Sequence, residues 1–365
     1  MEHTILITGA SGYLGSAISA DLARDNRVIG IHRREPTAKQ KSAASHAIWE
    51  KGEVADEDCI DSIFRRHFSA GHPIDYVIHF AVFTDYGEKW RDEYCDTNVI
   101  GTRNIIEVAA RYPGVRRIIF AGSIAALNPA PQGEFLTEKT PAGGHIAYSR
   151  SKALGEKLLA QNSHRIPVAV LRIGGVFTDW CELPPLFSVM KAWSQPFTGR
   201  LVPGLGNTGF PYIHRRDIVR IMRRIIEKDD SLNRYETLFA SPPGYTSHKE
   251  LFPIIRRECG KGYATKPIHV PPSLAKFVLH GKYLINTLRK KETYERSWMI
   301  DYVDRPLVVD TTYTQNKLNW IPTPKLHILR RLPILMRHFN KRYAEWHARN
   351  IRRNDQKYEY EPDVV

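Results

Sequence analysis

A tyrosine followed four residues later by a lysine can supply acid–base chemistry. On a helix the two side chains share one face, so the ammonium can lie beside the phenol and favour its ionised form. A phenol alone has a pKa of about 10, too high for an efficient base at neutral pH. The pattern occurs three times, as Tyr148 with Lys152, Tyr245 with Lys249, and Tyr313 with Lys317.

The elements predicted around these pairs single out the first. From residue 4 to about 175, short β-branched runs alternate with helical periodicity, which is typical of βαβ units and a parallel sheet. Strands are predicted at 4–8, 28–31, 47–50, 75–80, 117–121 and 168–173. Tyr148 and Lys152 lie at the start of a predicted helix, 151–161, which carries them to the sheet edge where Rossmann ligands bind. Ser123 follows the fifth strand, and its hydroxyl could hydrogen-bond a substrate oxygen beside Tyr148.

A glycine motif follows the first strand directly and opens a helix. Glycines permit a tight turn, close approach of a pyrophosphate and close packing of helix on strand, while helix N-terminal amides face the phosphate charge. The motif therefore predicts a dinucleotide site, with Gly9, Ser11, Gly12, Tyr13, Leu14 and Gly15 as candidate contacts.

The end of the second strand bears on the choice of dinucleotide. It reads Ile31-His32-Arg33-Arg34, without the acid that would bind an adenosine ribose. A guanidinium can pair bidentately with a 2′-phosphate. We therefore expect NADP(H) to be preferred, with Arg33 as the leading ligand and Arg34 and His32 beside it, while NAD(H) stays open. An exposed basic turn is the alternative.

Together these motifs resemble the extended short-chain dehydrogenase/reductase family, which includes NAD-dependent epimerases and dehydratases. The likeness covers about residues 3–325. It implies an α/β Rossmann fold, a doubly wound parallel sheet with a smaller, discontinuous C-terminal substrate-binding lobe. It also implies that Tyr148 exchanges a proton with a substrate oxygen during hydride transfer, that Lys152 lowers the phenol's pKa and holds the nicotinamide ribose, and that Ser123 orients the substrate. Homodimers are the habit of this family.

The resemblance extends to further residues, which it implies are cofactor contacts. His79-Phe80-Ala81 resembles the strand end that touches the cofactor in this family. Asn98 resembles an asparagine that the family carries within a helix, and Glu53 resembles an acid that lies beside the adenine. The full set added in this way is Glu53, Val54, His79, Phe80, Ala81, Asn98 and Ile173.

The substrate is less well defined by the sequence. Family members that act on nucleotide sugars usually carry an asparagine where Gly174 stands, so a ketone or secondary alcohol is the first hypothesis and sugar epimerisation or dehydration the second. An apolar helix with Leu274, Phe277 and Val278 resembles the ketone reductases and hydroxysteroid dehydrogenases of the superfamily. Candidate substrate contacts are Tyr86, Trp90, His145, Gly174 and His214.

The sequence divides into a Rossmann domain and a lobe made of separate pieces. We expect the NAD(P)-binding domain at 1–175 with a return segment at about 208–240, the lobe at 176–207 and 241–325, and a basic helical tail at 326–365. Residues 325–353 contain nine Lys or Arg against one acid, Glu345. A solvated helical face is the favoured interpretation of this charge, ahead of anionic lipid, nucleic acid or an acidic partner.

An apolar stripe in this tail, Leu335, Phe339, Tyr343 and Trp346, could lie on a membrane surface, on the protein itself or on a second subunit. No apolar run reaches the length of a membrane span, and the four cysteines form neither a metal pattern nor a disulfide framework, so we expect a cytoplasmic protein without a metal site. A non-catalytic dinucleotide-binding module with a basic tail is a further alternative. No nucleic-acid partner is expected.

Overall fold

Seven parallel strands form the central sheet of the computed structural model, which describes residues 2–85, 87–260, 265–288 and 297–351. The strands are β1 Thr4–Thr8, β2 Arg27–His32, β3 Ile48–Lys51, β4 Tyr76–His79, β5 Arg117–Ser123, β6 Val168–Ile173, β7 Gly175–Phe177, β8 Leu201–Pro203, β9 Gly209–Phe210, β10 Tyr212–His214, β11 Tyr235–Ala240, β12 Thr246–Ser247 and β13 Ile268–Val270. The helices are α1 Gly15–Leu22, α2 Ala38–Ala43, α3 Glu57–Ser69, α4 Gly101–Ala109, α5 Ala147–Asn162, α6 Pro184–Trp193, α7 Arg215–Glu227, α8 His248–Glu258, α9 Pro272–Leu288, α10 Thr312–Leu318, α11 Ile328–Lys341 and α12 Tyr343–Ile351.

The strand order in the sheet is β3-β2-β1-β4-β5-β6-β11, with every neighbouring pair parallel. The chain reverses its direction of winding between β1 and β4, and ligands of open α/β sheets bind in the crevice at such a point. The predicted α/β Rossmann fold is confirmed. The helix that carries the first Tyr-Lys pair begins at Ala147, earlier than predicted, so Tyr148 lies in its first turn.

Apolar side chains cover both faces of this sheet, as expected for parallel strands that read as continuous hydrophobic runs. One core lies under α1 and α7 and contains Ile18 and Ile221, and the other lies under α3, α4 and α5 and contains Phe64 and Leu159. Helix α7 lies within the stretch 208–240 that the sequence predicts as a return segment. Its Arg223 forms ion pairs with Asp21 and Asp25, which join α7 to the first helix of the motif region.

The smaller lobe has a core of its own, built from distant parts of the chain. Its buried residues come from β7, α6, β8, β10 and α8, and also from α11 and α12. Arg349 on α12 pairs with the buried Glu182 at 3.3 Å, and Asn350 accepts a hydrogen bond from the Glu182 amide at 2.8 Å. The sequence division placed 326–365 apart as a tail, but α11 and α12 pack inside the lobe core because their apolar faces complete it.

The apolar stripe of this segment is therefore not a free surface. Leu335 and Trp346 are fully buried, and Phe339 packs against the lobe core, while Tyr343 is partly exposed. Of the three interpretations, packing on the protein itself accounts for the stripe. None of the helices within 2–85, 87–260, 265–288 and 297–351 is long and apolar enough to span a bilayer.

Candidate active site

A cavity of about 670 Å³ runs from the glycine motif across the carboxyl ends of β1, β4 and β5 to the smaller lobe. Its size falls within the range of small-molecule and cofactor sites. Apart from the predicted catalytic residues, fourteen of the predicted residues line it: Gly9, Ser11, Gly12, Tyr13, Leu14, Gly15, Arg33, Arg34, Glu53, Val54, Phe80, Ala81, Ile173 and Gly174. The predicted catalytic trio, Ser123, Tyr148 and Lys152, lines the same cavity.

The glycine motif forms a tight turn at the β1 end, and Gly9 has φ +66°. A Cβ at this position would lie 2.8 Å from the amide nitrogen of Ala81 and 2.9 Å from the carbonyl carbon of Phe80. The motif and the β4 end are thus in direct backbone contact, and only glycine fits between them. The result is a cradle of backbone atoms suited to a pyrophosphate.

The end of β2 supplies two cations to the far end of the cavity. The Arg33 guanidinium lies 3.6 Å from the Glu53 carboxylate, and both side chains are more than a third exposed. Ser11 donates a hydrogen bond of 2.9 Å to the carbonyl of Arg34, and the Arg34 guanidinium reaches the Ser11 carbonyl at 3.4 Å. The basic turn is therefore tied to the glycine motif.

Lys152 is almost fully buried at the centre of the site. Its Nζ donates a hydrogen bond of 2.7 Å to the carbonyl of Ala121 and lies 4.7 Å from the centre of the Phe120 ring. Burial lowers the pKa of Lys152 to about 7, against the opposing effect of the Glu156 carboxylate. The ammonium is consequently held where its charge is poorly solvated and acts strongly on neighbouring groups.

Asn98 positions the helix that bears this lysine. It lies in a π-helical segment, Tyr94–Ile100, and accepts a hydrogen bond of 2.7 Å from the Phe83 amide. Its Nδ2 donates to the Phe83 carbonyl at 2.9 Å and to Ser151 Oγ at 2.8 Å. Asn98 thus links the segment after β4 to α5, and its side chain is structural rather than a cavity-lining group.

Ser123 and Tyr148 lie at the cavity wall beside Lys152. Ser123 caps a short 3₁₀ turn, with its Oγ accepting a hydrogen bond of 3.2 Å from the Ala125 amide. Ser149 donates to the Ala125 carbonyl at 2.6 Å, which fixes the start of α5 against the same turn. The two elements that carry the hydroxyl and the phenol are therefore braced against each other.

Two predicted cofactor contacts have side chains directed away from the cavity. His32 alternates with Ile31 and Arg33 along the β2 end, so its ring is buried near Trp49. His79 is locked between Thr8 Oγ1 at 2.7 Å and Thr102 Oγ1 at 3.1 Å. Burial, together with the Lys152 charge, lowers the pKa of His79 to about 3, so it stays neutral as a core hydrogen-bonding residue.

Three of the five candidate substrate contacts do not line the cavity. Trp90 is partly exposed on a separate surface groove beside Arg150, and His145 is exposed. His214 is fully buried and caps α7, with its Nδ1 accepting a hydrogen bond from the Arg216 amide at 3.2 Å. Tyr86 lies outside the described residues. Gly174 alone remains at the cavity.

The lobe contributes a wall that the sequence patterns missed. It is formed by Leu183, Pro185, Ser188, Val189, Pro203, Thr208, Phe210, Pro211, His248, Leu279, Trp298, Met299, Ile300, Tyr302, Val303 and Leu307. These residues come from six separate stretches of chain, so no local sequence pattern predicts that they line one cavity. The Pro203-Gly204 turn and the apolar start of α9 were the available signals.

His248 is the main titratable group of this wall. Its Nδ1 is buried without a hydrogen-bond partner, its ring meets Trp193 edge-on at 5.1 Å, and burial lowers its pKa to about 4. The imidazole therefore contributes a neutral side chain to this wall.

The fold and the site together define a dinucleotide-binding Rossmann protein with a substrate lobe over a Ser-Tyr-Lys trio. The model of the NAD dependent epimerase/dehydratase family matches residues 5–238. The chain belongs to this family of the extended short-chain dehydrogenases/reductases, and the predicted resemblance is confirmed.

Individual relatives agree with this assignment. A UDP-glucose 4-epimerase of Yersinia pestis is 27% identical over 288 residues, covering 75% of this chain and 77% of that protein. One from Streptomyces lividans is 33% identical over 155 residues, covering 42% of this chain and less than half (45%) of that enzyme. Sterol demethylase protein B of Methylococcus capsulatus is 27% identical over 239 residues, covering 64% of this chain and 68% of that protein.

Solved structures share the same architecture. The UDP-glucose 4-epimerase of Thermotoga maritima with UDP-glucose superposes with a TM-score of 0.68 at 19% identity, covering 93% of this chain and 99% of that one. The dTDP-glucose 4,6-dehydratase of Bacillus anthracis in complex with NAD gives 0.68 at 17% identity, covering 95% and 99%. At these identities the likeness establishes the fold.

Proposed function

We propose that this chain is an NAD(P)-dependent oxidoreductase that acts at a ketone or secondary alcohol of an apolar substrate. The observation that carries this proposal is the distribution of charge around the cavity. Its lining cations among the described residues are Arg33, Arg34 and Lys152, all on the Rossmann side, and the described part of the lobe wall contributes neither Lys nor Arg. A nucleoside diphosphate needs cationic partners, whereas an apolar substrate needs this kind of wall.

The residues present fit a dinucleotide. The Gly9 turn offers backbone amides to a pyrophosphate, and the cations at the β2 end offer charge to the adenosine half. When bound, the dinucleotide supplies or accepts the hydride. Tyr148 would exchange the proton at the substrate oxygen, Ser123 would orient that oxygen, and Lys152 would favour the phenolate through its charge.

Gly174 supports an apolar substrate in a second way. A Cβ at this position would fall on the carbonyl oxygen of Pro211, well inside contact distance. The asparagine usual in relatives that act on nucleotide sugars could not be placed there unless the segment before β10 moved. A side-chain contact to a sugar nucleotide from this position is therefore sterically blocked.

We also propose that NADP(H) is the preferred dinucleotide. Arg33 lines the end of the cavity where the adenosine half would bind, and the Glu53 carboxylate that faces it is 39% exposed and can exchange this partner for water. A 2′-phosphate would gain a charge-assisted contact there.

Nucleotide-sugar epimerisation or dehydration is the second candidate. The relatives named above that act on UDP-glucose and dTDP-glucose favour it, and Tyr148 and Lys152 would serve that chemistry equally well. Such enzymes restore their dinucleotide within each turnover.

The experiment measures the absorbance of the reduced dinucleotide at 340 nm. The protein is incubated with NADPH or NADH and a series of aryl, alicyclic and steroid ketones, and in parallel with UDP-glucose. We expect net oxidation of NADPH with an apolar ketone. Conversion of the sugar without net oxidation would refute the oxidoreductase and support the epimerase. Dinucleotide binding without turnover of any substrate would favour a non-catalytic binding module.

Two further predictions concern the state of the molecule in the cell. We propose a homodimer, because that is the family's habit and α5 presents the exposed Leu154 on its outer face. We propose a cytoplasmic location. Sedimentation of the purified protein and fractionation of cells would test them.

A further inference from the structure

Helix α9 has an apolar face that no part of the described chain covers. Leu274, Phe277 and Val278 are 52%, 79% and 58% exposed, and their spacing places them side by side on the helix. The opposite side of the same helix is internal, since Ala275 is buried and Leu279 lines the cavity. The helix is therefore apolar on both sides.

The exposed apolar surface continues onto the neighbouring strands. Ile268 on β13 pairs with Leu201 on β8, and both side chains are more than 40% exposed. Seven of the sixteen large hydrophobic residues exposed in the described chain fall in this part of the lobe, and we call them the lobe patch: Phe197, Leu201, Leu205, Ile268, Leu274, Phe277 and Val278. Clustered exposed apolar side chains mark a binding surface.

The charge of the surrounding sequence is strongly one-sided. Residues 265–288, the part of this segment that the structure describes, contain three Lys and neither Asp nor Glu. Lys276, within the patch helix, is 55% exposed and faces Asp301 at 3.6 Å. A second copy docked face to face would bring two such cationic segments together, and like charges would oppose that contact. A negatively charged partner complements them.

We propose that the lobe patch docks on an anionic lipid surface, with α9 lying in the interface. Apolar side chains at the acyl boundary and Lys or Arg at the headgroups are the pattern by which helices bind such a surface. Because Leu279 on the inner side of α9 lines the cavity, docking places the lipid one helix away from the substrate site. The proposal does not depend on which reaction the site performs.

The test is co-sedimentation with vesicles. The full chain is mixed with phosphatidylcholine vesicles that contain phosphatidylserine, and with pure phosphatidylcholine vesicles as the reference. We expect binding to the anionic vesicles that weakens with added salt. The double variant Phe277→Gln with Val278→Gln should bind at least about tenfold more weakly, because two apolar side chains no longer enter the interface.

Phe135→Gln is the matched control, since Phe135 is 57% exposed in another part of the chain. It should bind vesicles as the unchanged protein does. Dinucleotide binding by all three proteins verifies that each is folded, because the substituted side chains are exposed and far along the sequence from the glycine motif. Three results would overturn the proposal: no binding of the unchanged chain, equal binding of the double variant, or a lipid-free oligomer that the double variant dissociates, which would assign the patch to a second copy.

Discussion

The buried ammonium of Lys152 makes a quantitative prediction about stability. Burial lowers the pKa of this group from 10.5 to about 7. At 1.36 kcal/mol per pKa unit, keeping it charged in the folded protein below pH 7 costs up to about 5 kcal/mol. Lys152→Met removes the charge and keeps most of the aliphatic chain, at the loss of one hydrogen bond to the Ala121 carbonyl worth about 1 kcal/mol.

The sign follows from proton binding. Between pH 7 and 10.5 the unfolded chain holds a proton on this lysine that the folded chain has lost, so the free energy of unfolding rises with pH across this window. The rise is absent in Lys152→Met. We therefore expect the variant to be more stable than the unchanged protein at pH 6, by about 2–4 kcal/mol, and to lose this advantage towards pH 10.

Urea unfolding of the protein without dinucleotide, at a series of pH values, measures this difference. Lys157→Met is the matched control, because Lys157 lies on the same helix and is exposed. Its difference from the unchanged protein should stay flat with pH. If the difference in the free energy of unfolding between Lys152→Met and the unchanged protein were also independent of pH, the ammonium would not be poorly solvated. The electrostatic basis for activating Tyr148 would then be removed.

Three further predictions concern function directly. Tyr148→Phe keeps the ring but deletes the proton, so kcat should fall by about 10²-fold or more with dinucleotide affinity retained; near-normal turnover would exclude this phenol as the acid–base group. Arg33→Ala should raise the KM for NADPH about tenfold and leave the KM for NADH nearly unchanged. Arg24→Ala is the control, because Arg24 is also an exposed arginine and its replacement should change neither KM. Gly9→Ala should weaken dinucleotide binding by at least about tenfold. Gly71 also has a positive φ, +77°, but open space around it, so Gly71→Ala adds backbone strain without a clash and should leave dinucleotide binding intact. Titration of dinucleotide fluorescence reports the last pair, and equal affinities would contradict the role of the cradle.

The parts of the site that the sequence revealed are those set by local spacing. The glycine motif, Arg33 and the Tyr148–Lys152 pair each depend on a turn, a strand end or one helical turn, and each lies at the cavity. His32 shows how a local pattern can be misjudged. It sits between two residues that line the cavity, and the alternation of a strand places its ring on the opposite side.

The lobe wall could not be predicted in the same way. His248 and Trp298 reach the cavity only because β12, α8 and residues 297–302 lie against it in the folded chain, and no short spacing connects them with Tyr148. The apolar stripe around Trp346 raised a related difficulty. Its periodicity indicates an amphipathic helix, but the partner of such a helix is set by tertiary packing.

The enclosure of Trp346 in the lobe core has a consequence for biosynthesis. The seven-stranded sheet is complete once β11 has been made, whereas the core above the cavity lacks α11 and α12 until residues near 350 have been translated. We therefore expect the sheet domain to fold early during translation and the lobe core to fold last. A nascent chain halted before α12 would expose the apolar side chains of the lobe core to chaperones.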